Sequence, residues 1–172
     1  VKFGQSLATR PDIVGVDVAR DLSVLQDAMT PFDPALVPGL LREALGEKAA
    51  DLSDLSPPIA AASIAQVHRA TLTDAQGRKR TVAVKVLRPG IRRRFMDDLQ
   101  SYYAGARLAE RFVPKTRRLR PIDVVRTLEH SAELELDLRL EGAAISEFAE
   151  NIKDDTAFRI PEVSWDHTAE TV

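Results

Sequence analysis

The sequence predicts an α+β fold in which a small antiparallel sheet lies between amphipathic helices. Three observations predict it. Two β-type runs, one through Val67 and Leu72 and one from Thr81 to Leu87, flank Asp74-Ala75-Gln76-Gly77, a stretch with turn chemistry. Before these runs, Val18, Leu22, Leu25 and Met29 recur at helical spacing. After them, Ile91, Phe95, Leu99, Tyr102 and Ala106 do the same.

Each element has its own signal. The first helix starts near Asp17 and is ended by Pro31. Asp33-Pro34 supplies an N-cap and a proline at the first helical position. The helix that follows carries Leu36, Val37, Leu40, Leu41 and Leu45, with Gly46 as its terminator. Residues 47–58 are polar, end in Pro57-Pro58, and predict a linker. The alanine-rich stretch from Ile59 to Ala65 leads into the hairpin, which Arg88-Pro89-Gly90 closes. Ile91 to Phe112 is a helix that Pro114 ends. Pro121 opens another, with Ile122, Val125, Leu128, Ala132, Leu136, Leu140, Ala144 and Phe148 on one side. That helix would run about 28 residues, well beyond the usual length, so it is either kinked or packed against several neighbours. Phe158 to Trp165 predicts a strand, which Pro161 confines to an edge or to its start.

Composition removes several functional classes. The 172 residues are the size of one domain or a piece of a larger one. There is no cysteine, so disulfides, thiolate metal sites and cysteine nucleophiles are excluded. His68, His130 and His167 are too far apart for a short-spaced metal motif. Twenty-four Lys and Arg against 26 Asp and Glu give a net charge of -2, which does not suit a general polyanion binder. No apolar run approaches the ~20 residues of a membrane helix, and the first residues do not form a signal peptide. A soluble chain of a reducing, cytoplasmic compartment is expected.

Lys85 carries the strongest local signal. Strand alternation puts Val82, Val84 and Val86 on one face and Ala83, Lys85 and Leu87 on the other. A lysine among apolar neighbours must snorkel or pair, unless it guards an edge strand. The second signal is the acidic run Glu133, Glu135, Asp137 and Glu141. Glu135 has Arg139 four residues on, which reads as a surface pair worth little. On one continuous helix Asp137 and Glu141 share a face and call for a cation from elsewhere, for which Lys85 is the candidate.

A strand lysine paired with a helix glutamate is how protein kinases hold the phosphates of ATP. The glycines, at 4, 15, 39, 46, 77, 90, 105 and 142, nevertheless form no G-x-G-x-x-G loop. Ala60-Ala61-Ala62-Ser63 stands in its place, which disfavours an ordinary protein kinase.

At these positions the sequence resembles the UbiB/ADCK (AarF-type) atypical protein-kinase-like family, linked to ubiquinone biosynthesis. Lys2-Phe3-Gly4-Gln5 is similar to its KxGQ signature, and Pro58 through His68 to its alanine-rich loop. Val82-Ala83-Val84-Lys85-Val86 with Arg88-Pro89-Gly90 is similar to its lysine strand. Glu135-Leu136-Asp137 is similar to its ExD motif, and Glu141 stands where the family's αC glutamate pairs the lysine.

The resemblance implies a protein-kinase-like N-lobe, with a small antiparallel sheet and an αC-type helix, behind a helical N-terminal extension. Residues 1–57 would be the extension and 58–172 an incomplete lobe, with the C-lobe absent. Lys85 would contact the phosphates of ATP and Glu141 would hold it. Ala60, Ala61, Ala62 and Ser63 would cover the phosphates. The extension, beginning with Lys2, Gly4 and Gln5, would fold over the site, with Glu135 and Asp137 facing it. The catalytic loop and the Mg²⁺ ligands would lie beyond Val172, so no catalytic residue is assigned and the 172 residues alone are expected to be inactive. The parent would be a bacterial ATPase or kinase using ATP and Mg²⁺, peripheral at the inner membrane, with anionic lipids and ubiquinone-biosynthesis proteins as partners.

Two other classes are carried beside this one. A non-catalytic kinase-like binding module would share every motif above. A basic module is the other, because Arg78 to Arg94 holds eight Lys and Arg and no acid. Few aromatic residues accompany it, so nucleic acid is not expected, and anionic lipid headgroups suit it better.

Overall fold

The computed structural model describes residues 15–23 and 29–172. The chain forms two compact units, Val1–Arg88 with Ser164–Val172, and Pro89–Val163.

In the first unit, α1 spans Val16–Ser23. Leu25 of the predicted helix lies outside the described residues, and Met29 is non-helical. The predicted cap is present: Asp33 Oδ1 accepts the Ala35 N–H at 2.9 Å and starts a 3-10 turn, Pro34–Leu36. That turn runs into α2, Val37–Leu45, which Gly46 ends at φ +60°. Val37 and Leu41, four residues apart, are buried with Ala70, Val84, Val86 and Val172. Each such burial stabilises by about 1.5–3 kcal/mol, so this one helical face fixes α2 against the sheet.

The sheet is built on one long strand. β3 (Ala65–Thr73) pairs with β4 (Lys79–Leu87) along its whole length, from Ala65↔Leu87 to Thr73↔Lys79. Two short strands share its other edge. β1 (Leu52–Ser53) pairs Leu72 and Thr71, and β2 (Ala60–Ala61) pairs Val67 and Gln66. The hairpin turn is organised by Asp74, whose Oδ1 accepts the N–H groups of Gln76 and Arg78, each at 2.9 Å. Gly77 takes φ +76° there, a conformation that suits glycine.

Residues 47–58 correct the linker expectation. A 3-10 helix, Gly46–Asp51, leads straight into β1. Beyond it, the Ser56 N–H donates to Arg69 O at 2.8 Å and the Ile59 N–H to Val67 O at 2.8 Å. The polar composition of this stretch reflects an edge segment bonded through its backbone. The chain returns at Ser164, and the Leu87 N–H donates to Thr171 O at 3.0 Å.

The second unit is helical. α3 spans Ile91–Phe112, as its periodicity predicts. A 3-10 segment, Pro114–Leu119, connects it to α4, Pro121–Glu135. The long helix predicted from Pro121 is two helices, because it breaks after Glu135. Asp137 leaves the helical region (φ −121°, ψ 98°) and caps α5, Leu138–Asn151. An aspartate whose carboxylate can bond its own downstream N–H competes with helix continuation. The predicted strand at Phe158–Trp165 is also absent. Residues 158–164 join no ladder, and Trp165–His167 forms a single 3-10 turn. A segment with an interior proline has one donor fewer to offer a sheet. In this unit Leu108, Phe112, Leu119, Val124, Phe148 and Phe158 are half or more exposed. Among the described residues no helix is long and apolar enough to cross a membrane.

Candidate functional site

Register brings three of the singled-out positions into line. Ala60 pairs Val67 and Val67 pairs Lys85, so the three form one row across β2, β3 and β4. Paired residues share a face, and this row lies opposite the row Ala61–Gln66–Val86, in which Gln66 and Val86 are buried. Lys85 is partly buried and Ala60 is exposed. Thr81, Ala83 and Arg69 continue the Lys85 face and help line a recess of ≈ 420 Å³ with Ser56, Ile59 and Val82. Arg69 is the charged residue of that largely apolar lining, and Lys85 lies on the same face outside it.

The alanine-rich segment is a tight turn. The Ala62 N–H donates to Ala65 O at 2.8 Å, and Ser63-Ile64 forms the tip. The non-glycine residues with positive φ are Asp54 and Arg120, among those described, so the turn needs no left-handed backbone. Alanine therefore fits it without strain.

Beneath the row lies a buried polar pair. Gln66 and His68 are both fully enclosed. His68 Nδ1 is 2.8 Å from Ser56 O, which can only accept, so Nδ1 carries the ring proton. Nε2 then accepts from Gln66 Nε2 at 2.9 Å, and Gln66 Oε1 accepts the Phe32 N–H at 3.0 Å. Every polar atom of the pair has a role. The sequence contains Gln66 and His68 within the alanine motif, but period-two alternation marks them only as inward-facing.

Arg88, which in the sequence only closes the hairpin, also bonds the alanine segment. Its Nε donates to Ala62 O at 3.0 Å and its Nη2 to Thr30 O at 2.8 Å, while its N–H donates to Ile64 O at 2.8 Å.

The acidic motif belongs to the second unit. Glu135 is the last residue of α4, Asp137 caps α5, and Glu141 lies in the first turn of α5. Asp137 and Glu141 are thus a cap and a first-turn residue, where negative charge is favoured, and do not form the repulsive pair of one continuous helix. Arg139 pairs with Asp137 at 2.6 Å. Its guanidinium bonds hold the Asp137 carboxyl below the usual carboxylate range, aided by the Arg139 N–H and the nearby Arg92 charge and opposed by partial burial. Lys2, Gly4 and Gln5 lie outside the described residues. Among the described residues no group of three or more His, Asp or Glu side chains could hold a metal ion.

A family model described as the ABC1 atypical kinase-like domain matches residues 24–172. The chain is similar to the "Probable protein kinase UbiB" of Xanthomonas oryzae pv. oryzae, with 44% identity over 99% of this chain and 31% of that protein. It is similar to the protein of the same name from Marinobacter nauticus, with 40% identity over 100% of this chain and 31% of that one. A solved structure, "The complex structure of Rv3197-erythromycin from Mycobacterium tuberculosis", superposes at a TM-score of 0.55 with 31% identity, covering 98% of this chain and 41% of that one. The chain thus spans about a third of the length of these UbiB relatives. With a match from residue 24 to 172 and a strand lysine in line with an alanine turn, the chain belongs to the ABC1 family of UbiB/ADCK atypical kinases.

Proposed function

We propose that this chain is the N-lobe and helical extension of a UbiB-like atypical kinase or ATPase, which binds ATP with Mg²⁺ and supports ubiquinone biosynthesis. The row Ala60–Val67–Lys85 carries this reading, because it aligns an ammonium with the strand that enters the alanine turn. Lys85 would neutralise the phosphates, with Ala60, Ala61, Ala62 and Ser63 over them and Glu141 as the partner that orients the lysine. Residues 1–57 would serve as the extension and 58–172 as the lobe, with Lys2, Gly4 and Gln5 meeting Glu135 and Asp137. The catalytic base and Mg²⁺ ligands would come from the part of the relatives that this chain does not span. Phosphoryl transfer depends on positioning and charge neutralisation, so the lobe's task is to hold the nucleotide while other residues act on it. Anionic lipids of an inner membrane and other ubiquinone-biosynthesis proteins are the proposed partners.

The test is thermal protection of the full-length protein by Mg-ATP. Native protein is expected to gain several degrees, and Lys85→Ala to gain nothing. Equal protection of both would reject the role of Lys85. The 172-residue chain alone is expected to bind ATP weakly, and a micromolar dissociation constant by calorimetry would contradict its proposed incompleteness.

A further inference from the structure

We propose that Arg88 is a positioning residue for the alanine turn, and that through Thr30 it couples the turn to residues 30–33 of the extension. The regulatory meaning of this coupling rests on the nucleotide role proposed for the turn. Arg88 engages the turn twice, through its N–H to Ile64 O at 2.8 Å and its Nε to Ala62 O at 3.0 Å. Its other arm, Nη2, donates to Thr30 O at 2.8 Å. A guanidinium is planar and rigid, so its two arms move together. Displacing Thr30 therefore disturbs the bond to Ala62.

The segment around Thr30 is itself fastened to the sheet. Pro31 restricts the backbone of Thr30. The Phe32 N–H donates to Gln66 Oε1 at 3.0 Å, and Asp33 caps the turn into α2. Gln66 is also the register partner of Ala61, the second residue of β2. Residues 30–33 thus reach the alanine stretch by two routes, through Gln66, which pairs Ala61, and through Arg88, which bonds Ala62. Movement of the extension segment would loosen the turn and release what the turn covers. A lysine in place of Arg88 offers one ammonium where two carbonyls must be held at a fixed separation.

Amide hydrogen exchange in the full-length protein tests this, read at residues 60–65 and at 29–33 without nucleotide, with Mg-ATP affinity measured in parallel. Losing a charge-assisted bond corresponds to roughly tenfold faster exchange. Arg88→Met is expected to show that increase in both segments together, with weaker ATP binding, and Arg88→Lys to fall between Met and native. Faster exchange in only one segment, or in neither, would overturn the coupling. If Arg88→Met does not fold, Arg88→Lys decides by the same readout. Lys85→Ala separates the two ideas, because it is expected to lose ATP protection while exchange in both segments stays native. Joint loosening by Arg88→Met in a protein that binds no nucleotide would reject the nucleotide role and retain the coupling.

Discussion

Arg139 grips Asp137 with both arms, Nε to Oδ1 at 2.9 Å and Nη2 to Oδ2 at 2.6 Å, while the Arg139 N–H donates to Oδ1 at 3.1 Å. One carboxylate therefore starts α5 and anchors the side chain two residues on. Asp137→Ala is expected to cost about 1 kcal/mol for the lost cap. The ion pair adds little because the Arg139 side chain is 56% exposed. Asp137→Asn keeps a good capping side chain and should recover most of that loss. Urea unfolding of the three proteins measures the difference, and an Asn variant as weak as Ala would show that charge outweighs capping.

The same carboxyl makes stability depend on acid. Its folded value lies below the ordinary one, chiefly through the Arg139 side chain. The folded state therefore favours the ionised form. Its contribution is complete above the unfolded value of about 3.9 and is lost as pH falls through the folded value. Asp137→Asn is expected to flatten the stability profile in that acidic window and leave its neutral part parallel to native. An unchanged acid limb would assign the sensitivity to other carboxylates.

The buried pair under the sheet predicts a larger loss. Gln66→Leu would leave the Phe32 N–H and His68 Nε2 without their present partner. Each orphaned group costs about 1–3 kcal/mol, so a total loss of roughly 2–6 kcal/mol is expected. A denaturation midpoint that drops with an unchanged slope would confirm it. A near-native midpoint would mean that water replaces the amide.

The hairpin, α2 with its cap, and α3 were legible because local chemistry and tertiary packing agree at Asp33, Gly46, Asp74 and Gly77. The face of Lys85 was legible because strand alternation sets it, whereas its alignment with Val67 and Ala60 depends on the ladder register, which alternation does not give. The break at Asp137 was hidden because Leu136 and Leu140 keep helical spacing across it, and periodicity does not report a cap. The structure of 47–58 was hidden because β1 and Ser56 join the sheet through their backbone, which composition does not reveal. Arg88 was hidden because it recognises carbonyls, and every residue type supplies those.

Tyr103 gives an alkaline counterpart. Its hydroxyl donates to Glu129 Oε2 at 2.5 Å. A phenolate there would face a carboxylate, and this bond is the main reason that the Tyr103 hydroxyl ionises above its ordinary value, with partial burial and the Glu129 charge adding to it. The folded state thus holds this proton more tightly. Its contribution is complete below about pH 10 and is lost as pH rises through the folded value. In an ultraviolet titration, Tyr103→Phe is expected to remove the late phenolate step, and Glu129→Gln to bring that step back towards the ordinary value. A step that Glu129→Gln leaves in place would assign the shift to burial.

Two glycines with open space around them predict opposite outcomes for the same substitution. Gly90 precedes α3 at φ +69° and ψ 12°, and a Cβ added there meets nothing within 4 Å. Gly105 sits inside α3, is exposed, and has equally open surroundings. Packing cancels from the comparison, and backbone preference remains. Gly90→Ala must place an L-residue in the left-handed region, which costs about 1–2 kcal/mol. Gly105→Ala keeps a helical backbone and reduces the freedom of the unfolded chain, for a gain of about 0.5–1 kcal/mol. The two sites lie fifteen residues apart along the chain, so the double variant should equal the sum of the singles within about 0.5 kcal/mol. A Gly90→Ala protein as stable as native would show that the turn into α3 relaxes out of the left-handed region.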